Sequence, residues 1–154
     1  HDHSIAWCQL NAEGDLLTRL IPGAVQVKGS DSAESKEDAL AAFSRGEVPV
    51  LVTKPSIGAW GLNWQHCAHM TYFPSHSYEQ YYQAVRRCWR FGQERPVTVD
   101  LITTEGGTNA LRNLRRKADQ ADRMFAELVA HMLDVLTLET DEYDETVEVP
   151  AWAC

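Results

Sequence analysis

The chain has 154 residues and a formal net charge of −8, with 44% hydrophobic and 23% charged residues. The length is sufficient for one domain with a hydrophobic core, and the composition is that of an ordinary globular protein. No apolar run approaches the roughly 20 residues that a membrane-spanning helix needs. The four cysteines include no Cys-x-x-Cys pair. The sequence therefore predicts neither a disulfide scaffold nor a metal site, and an intracellular, reducing setting is expected.

The charge is distributed unevenly along the chain. Basic residues dominate positions 86–117, whereas the segment that follows is acidic. The middle of the chain can therefore present a phosphate-facing patch although the net charge is negative. We expect residues 1–135 to form the folded domain and residues 136–154 to form an acidic tail, most simply a solvated or disordered terminus.

Short apolar runs alternate with amphipathic segments. Five runs predict strands, at residues 5–10, 24–27, 48–52, 68–73 and 97–102. Helices are predicted from Asn11, as the N-cap, to about Ile21, from Ser32 to Arg45, from Ser77 into the arginine-rich segment, and from about Thr108 to His131 or beyond. Strands separated by helices favour a parallel sheet covered on both faces, so the sequence predicts one α/β domain.

The most informative segment has the spacing Gln-x-x-x-Arg-x-x-Arg-Phe-Gly-Gln. If the helix continues through it, Gln83, Arg87 and Arg90 fall on one stripe and present an amide and two guanidiniums in one direction. This geometry suits a polyphosphate, because arginine offers a rigid fork of donors that is always charged. A solvated basic helix face is the plainer interpretation. A separate stripe that can be buried is formed by Tyr78, Tyr82, Val85 and Trp89.

At these residues the chain resembles motif VI of superfamily-two helicases, most closely the Swi/Snf-type form Gln-Ala-x-Asp-Arg-x-x-Arg-Ile-Gly-Gln. The matching positions are Gln83, Arg87, Arg90, Gly92 and Gln93. Arg86 departs from the pattern, since the family usually has Asp or Gly there. The resemblance implies that Arg90 and, in second place, Arg87 are arginine fingers that reach the γ-phosphate of ATP. It also implies that Gln83 orients one of these groups or the attacking water.

A long loop with two glycines follows the third predicted strand, and glycines suit close approach of the backbone to a ligand. An ordinary crossover with aromatic packing fits the loop equally well on these grounds alone. The loop also resembles motif V of Swi/Snf-type proteins, Thr-x-x-x-Gly-x-x-Gly-x-Asn, at Gly58, Gly61 and Asn63, whereas residues 54–56 and Trp60 depart from it. The resemblance implies nucleotide contacts at the three matching residues.

The same resemblance implies contacts with a nucleic-acid backbone. In the loop after the third strand these fall on Thr53 and Lys54. In the turn after the second strand, Gly29 and Ser30 lie where such a lobe usually approaches DNA phosphates. Phosphate contacts of this kind give binding that is independent of base sequence and sensitive to salt.

No Gly-Lys dipeptide occurs, so the sequence has no P-loop for the β- and γ-phosphates of ATP. The resemblance therefore implies a three-layer, RecA-like second lobe of an ATP-dependent, Swi/Snf-like DNA helicase or translocase, covering roughly residues 4–130. ATP and Mg²⁺ would bind tightly only with a first RecA-like lobe as partner, and double-stranded DNA is the other expected partner. Without that lobe the chain is expected to be inactive as an ATPase.

Two alternatives belong to other functional classes. One is a non-catalytic module that keeps this fold and binds nucleic acid or protein. The other is a phosphate-using enzyme on a flavodoxin-like sheet, which the lack of an acid–base cluster disfavours.

Overall fold

A computed structural model of the chain describes residues 3–57 and 62–141, in which five parallel strands form one sheet. The strands are β1 (His3–Trp7), β2 (Ala24–Val27), β3 (Val50–Thr53), β4 (Cys67–Tyr72) and β5 (Thr98–Leu101), in the order β2-β3-β1-β4-β5. The helices are α1 (Asn11–Leu20), α2 (Ala33–Ser44), α3 (Tyr78–Val85) and α4 (Thr108–Asp141), and a 3₁₀ turn at Glu105–Gly107 precedes α4. The predicted α/β class, with a parallel sheet and a long C-terminal helix, is confirmed.

Helix α1 shows a small departure from the sequence prediction. Leu10, not Asn11, is the N-cap. The carboxylate of Glu13 reaches back over the first turn and accepts hydrogen bonds from the backbone amides of Leu10 (2.9 Å) and Gln9 (2.8 Å). Glu13 thus satisfies donors at the helix start that the side chain of Asn11 was expected to satisfy.

The sheet is covered on both faces. The larger core lies on the face that packs against α2, α3 and the start of α4, where Phe43, Trp64 and Leu114 are buried. On the other face, Ala6 and Val52 form a smaller cluster with residues that include Leu17 of α1. Because β3 is covered on both sides, it reads as the continuous run Val-Leu-Val-Thr rather than as an alternation of apolar and polar residues.

The chain forms two compact units, one ending at Arg115 and the other beginning at Arg116. Helix α4 continues to Asp141, six residues past the domain boundary expected after residue 135. The remainder of the expected acidic tail, residues 142–154, lies outside the described residues, and that boundary stays a prediction. Within the described part of the chain, no helix combines the length and the apolar character needed to cross a membrane.

The strand directions define two ends of the sheet. β2 and β3 are adjacent and in register, with Val27 opposite Thr53, so the segments that follow them emerge side by side at the carboxyl end. Helix α3 starts after the carboxyl end of β4, and β5, which is parallel to β4, comes after it. The connection from α3 to β5 must therefore return to the amino end, where the guanidinium of Arg95 donates to the carbonyl oxygen of His66 (2.6 Å), just before β4.

Candidate functional site

Helix α3 is shorter than the sequence pattern indicated. It ends at Val85, and residues 86–92 follow as a series of turns. The amide of Cys88 donates to the carbonyl oxygen of Val85, three residues back (3.1 Å), which is a 3₁₀-type rather than an α-helical bond. The expectation of one continuous helix through the motif is therefore wrong. We call residues 86–93 the arginine turn.

Tertiary hydrogen bonds explain why the helix ends there. The backbone amide of Trp64 donates to the carbonyl oxygen of Arg87 (2.9 Å), and the side-chain amide of Gln65 donates to that of Phe91. A carbonyl oxygen that accepts a hydrogen bond from a residue outside the helix does not need an amide donor from the next helical turn. The donors come from the loop between β3 and β4, more than twenty positions away, so the local pattern of residues could not reveal them.

Gln93 fixes the other end of the arginine turn. Its side-chain nitrogen lies 2.9, 3.1 and 3.2 Å from the carbonyl oxygens of Gln65, Cys67 and Cys88 respectively. Gly92, with φ of 91°, reverses the chain just before it, in a region of backbone conformation that favours glycine. Through Gln93 the arginine turn is attached to the first residue of β4.

The apolar stripe inferred from a continuous helix is only partly buried. Tyr82 is 44% exposed and Trp89 is 56% exposed. Trp89 follows the end of the helix, although its backbone amide still donates to the carbonyl oxygen of Val85 (2.9 Å). The guanidinium of Arg86 instead lies over both rings, 6.0 Å from the centroid of Tyr82 and 5.4 Å from that of Trp89. Both distances are within the range of a cation–π interaction.

The structure nevertheless brings the three predicted catalytic residues together. Gln83, Arg87 and Arg90 line one open pocket of about 320 Å³, together with Tyr82 and Arg86. Three guanidiniums thus face one space, and among the described residues no carboxylate lines it. A pocket of this charge suits an anionic ligand with several oxygen atoms, such as a polyphosphate.

The two predicted finger arginines differ in their surroundings. Arg87 is only 9% exposed, and its Nη1 donates to the carbonyl oxygen of Leu62 (3.3 Å). Burial, and then the neighbouring charge of Arg90, lower the pKa of the Arg87 guanidinium, which still remains protonated at neutral pH. Arg90 is exposed. Arg87 is therefore anchored in the protein, whereas Arg90 stands at the surface of the pocket.

The residues predicted to contact the nucleotide through the loop are described only in part. Gly58 and Gly61 lie outside the described residues. Asn63 is exposed, and its neighbours Leu62 and Trp64 both hydrogen bond to Arg87. The end of this loop is thus held beside the arginine turn, and the contacts of Asn63 with a nucleotide stay a prediction.

The predicted nucleic-acid residues lie at the carboxyl end of the sheet. Gly29 and Ser30 are exposed in the turn between β2 and α2. The ammonium group of Lys36 donates to the carbonyl oxygen of Gly29 (2.7 Å), and Lys28 forms an ion pair with Asp15 (2.7 Å). The Asp15 partner raises the pKa of Lys28, and Lys28 in turn lowers the pKa of Asp15. The cations around this turn therefore already have partners within the chain.

Thr53 and Lys54, at the end of β3, differ sharply in exposure. Thr53 is fully buried, and its hydroxyl donates to the carbonyl oxygen of Val27 (3.1 Å). The Thr53 side chain therefore bonds to the neighbouring strand, whereas the Lys54 side chain is half-buried. Contact of Lys54 with a phosphate stays a prediction. The segment 54–66 then leads to the amino end of β4, and so connects the predicted nucleic-acid residues to the arginine turn.

Sequence reasoning did not assign roles to two residues that shape this site. Arg86 lines the pocket, and its departure from the family pattern was a usable signal, because it adds a positive charge next to Arg87. Gln65 donates a hydrogen bond to the arginine turn, and nothing in the sequence around Gln65 indicated this role.

Comparisons with known proteins identify the family and the fold of this chain. Residues 5–92 match the family model described as "Helicase conserved C-terminal domain". A search of curated proteins finds no match. Solved structures with a similar fold include the C-terminal part of the Fun30 ATPase domain, at 17% identity and a TM-score of 0.58, with 68% of this chain and 36% of that chain covered.

Structures of Dbp5 from S. cerevisiae are also similar. A variant bound to RNA and ADP BeF3 has 15% identity and a TM-score of 0.63, over 75% of this chain and 32% of that chain. The C-terminal domain of a Dbp5 variant bound to Gle1 and IP6 has 13% identity and a TM-score of 0.63, over 77% of this chain and 70% of that chain. The chain thus spans about a third of the Fun30 chain and of the RNA-bound Dbp5 chain. The predicted three-layer, RecA-like fold is confirmed.

Proposed function

Because the chain belongs to the family of helicase conserved C-terminal domains, we propose that it is the second RecA-like lobe of an ATP-dependent, Swi/Snf-like DNA translocase. In this role it supplies the arginine finger and part of the DNA track. A first lobe supplies the P-loop and the Mg²⁺ site, and ATP binds between the two lobes.

The observation that carries this proposal is the convergence of Gln83, Arg87 and Arg90 on one pocket. Phosphoryl transfer spreads negative charge over the oxygens of the γ-phosphate, and fixed guanidiniums stabilise that charge. Arg90, at the exposed side of the pocket, reaches across to the γ-phosphate. Arg87, anchored to Leu62, gives a second positive charge at a fixed position, and Gln83 orients an arginine or the attacking water.

The nucleic-acid part of the proposal rests on the carboxyl end of the sheet. Lys54 contacts a phosphate, and the exposed backbone at Gly29 and Ser30 offers further donors to the same strand. Residues 62–65 hold the arginine turn and belong to the same connection between β3 and β4 as Lys54. Movement of one lobe against the other therefore changes both sites together in this proposal. Hydrolysis is thereby linked to stepping along DNA.

The Swi/Snf-like assignment is supported by the tail of the motif. The sequence Arg90-Phe91-Gly92-Gln93 matches that branch at Arg90, Gly92 and Gln93. The last two of these residues, Gly92 and Gln93, also have structural roles here. Gly92 adopts a positive φ and Gln93 attaches the arginine turn to β4. DNA rather than RNA is therefore the proposed track, although Dbp5, one of the structures with a similar fold, is bound to RNA.

The first test compares the isolated chain with the two lobes combined. The purified 154-residue chain should hydrolyse ATP at the background rate, with or without DNA, because its arginines face no P-loop. The two-lobe protein should hydrolyse ATP faster when duplex DNA is added, and less so with RNA. DNA-stimulated turnover by the isolated chain that is unaffected by Arg90→Ala would contradict the two-lobe account. Absence of turnover from the two-lobe protein would instead favour a non-catalytic binding module.

A further inference from the structure

We propose that Arg86 is a third phosphate-binding residue of the pocket, held in place by the rings of Tyr82 and Trp89. The inference rests on the proposed function, and it concerns a position where this chain departs from the pattern of the family. Asp or Gly at that position could not make the contact, so the chain would bind the phosphates with one guanidinium more than the motif supplies.

The first step of the argument is the position of Arg86. It is the C-cap of α3, and its backbone amide donates to the carbonyl oxygen of Tyr82 (3.0 Å), which completes the last helical turn. Its side chain is exposed and lines the same pocket as Arg87 and Arg90. The backbone is therefore fixed at a point from which the side chain reaches the ligand space.

The second step is the way the guanidinium is held. Tyr82 and Trp89 contact it as π systems, at 6.0 and 5.4 Å from the ring centroids. Contact through the ring faces restricts the side chain without using the N–H groups at the edge of the guanidinium plane. Those N–H groups are the ones that bind phosphate oxygens. Two aromatic rings that remain 44% and 56% exposed thus preorganise a cation for an anionic ligand.

The third step is the charge of the pocket. Its three guanidiniums repel one another, and within the part of the chain that the structure describes no acidic side chain forms an ion pair with Arg86. An anion with several negative charges relieves that repulsion. The electrostatic free energy gained when the anion binds increases with each additional cation held in the pocket. The ligand chemistry is that of a linear polyphosphate, as in the phosphate chain of a nucleoside triphosphate.

The experiment measures binding of inorganic tripolyphosphate to the 154-residue chain by calorimetry at low ionic strength. Arg86→Gln should weaken binding by about tenfold, the order expected for the loss of one charge-assisted hydrogen bond. Arg112→Gln is the charge-matched control, because Arg112 is an exposed arginine of α4 outside the pocket whose guanidinium bonds to Asn109 (3.4 Å). The control should stay within about twofold of the parent chain, as expected for a distant screened charge.

A second variant tests the aromatic support. Trp89→Leu keeps every charge of the pocket but removes one ring, so it should weaken tripolyphosphate binding several-fold. The thermal unfolding midpoint of Arg86→Gln should fall only slightly, since the side chain is exposed and loses only its contacts with the two rings. This comparison separates a binding defect from a folding defect.

Three results would overturn the inference: no binding of tripolyphosphate to the chain, equal losses in Arg86→Gln and Arg112→Gln, or parent-like binding by Arg86→Gln. If Arg86→Gln binds as the parent does while Arg90→Ala lowers turnover of the two-lobe protein, the proposed function stands and the role of Arg86 falls. If Arg86→Gln loses binding but Arg90→Ala leaves turnover of the two-lobe protein unchanged, the phosphate site of Arg86 stands and the arginine-finger assignment falls.

Discussion

Two regions of this chain were expected to bind phosphate groups, and they differ in how their positive charges are partnered. In the arginine turn, Arg87 and Arg90 line one pocket, and no carboxylate lines it among the described residues. In the turn after β2, Lys28 is 2.7 Å from the carboxylate of Asp15, and Lys36 donates to the carbonyl oxygen of Gly29.

This difference separates phosphate sites of unequal strength. The charge of a lysine already paired with a carboxylate is partly neutralised by that partner, so the lysine gains little on binding phosphate. An anion that binds among guanidiniums lying close together relieves their mutual repulsion. We therefore expect a strong, positioned phosphate site at the arginine turn, and weak contacts made largely by backbone groups at the carboxyl end of β2.

Apart from Arg90→Ala, the largest expected effect is that of Arg87→Ala in the two-lobe protein. Loss of this guanidinium should lower turnover by about 10³-fold or more, the order found for arginine fingers, with little change in ATP affinity. Because Arg87 is 9% exposed and bonded to Leu62, the variant should also unfold at a lower temperature. Steady-state kinetics and thermal unfolding measure the two effects. Wild-type turnover would exclude Arg87 from the chemistry.

The next effect concerns how the arginine turn is held. Gln93→Leu leaves three carbonyl oxygens without the donor they share, and should lower the free energy of unfolding of the chain by about 3 kcal/mol. Gln120→Leu is the matched control, since Gln120 is an exposed residue of α4 that accepts one bond from Arg116. Its cost should be within about 0.5 kcal/mol of zero. Urea unfolding that gives equal values for the two variants would contradict the role of Gln93.

The sequence could predict those parts of the fold that local signals define. β2 was predicted at residues 24–27, where it occurs, because Pro22-Gly23 and Lys28-Gly29 bracket a short apolar run. The end of α3 could not be predicted, because it depends on donors from Trp64 and Gln65 that only the folded chain brings close.

The candidate site, too, has features that the local sequence could predict and features that depend on tertiary contacts. The motif spacing identified Gln83, Arg87 and Arg90, and the structure places them in one pocket even though the continuous helix assumed for them does not exist. The burial of the Thr53 side chain could not be read from the sequence, since it follows from the pairing of Thr53 with Val27 in neighbouring strands.

A smaller effect should distinguish the two lysines at the carboxyl end of the sheet. Lys54→Ala should reduce the slope of log affinity against log salt for duplex DNA by about one unit, equally for all sequences. Lys28→Ala should change the slope less, because Lys28 is already paired with Asp15. Salt titrations of both variants give the comparison. An unchanged slope for Lys54→Ala would leave that residue without a role in the DNA track.

The smallest expected effect comes from breaking the ion pair on its acidic side. Asp15→Asn releases Lys28 and should raise DNA affinity at low salt by about twofold, because an exposed ion pair contributes little. Asp119→Asn makes the same change in net charge on the exposed surface of α4 and serves as the control. Equal gains in the two variants would mean that net charge, rather than Lys28, accounts for the change.

The central claim is that Arg90 acts across the lobe interface on the transition state of ATP hydrolysis. Single-turnover hydrolysis by the two-lobe protein carrying Arg90→Ala, measured together with ATP affinity, tests it most directly. The account predicts a fall in rate of about 10³-fold or more while the dissociation constant for ATP changes by no more than a few-fold. A hydrolysis rate equal to that of the wild type would contradict the claim.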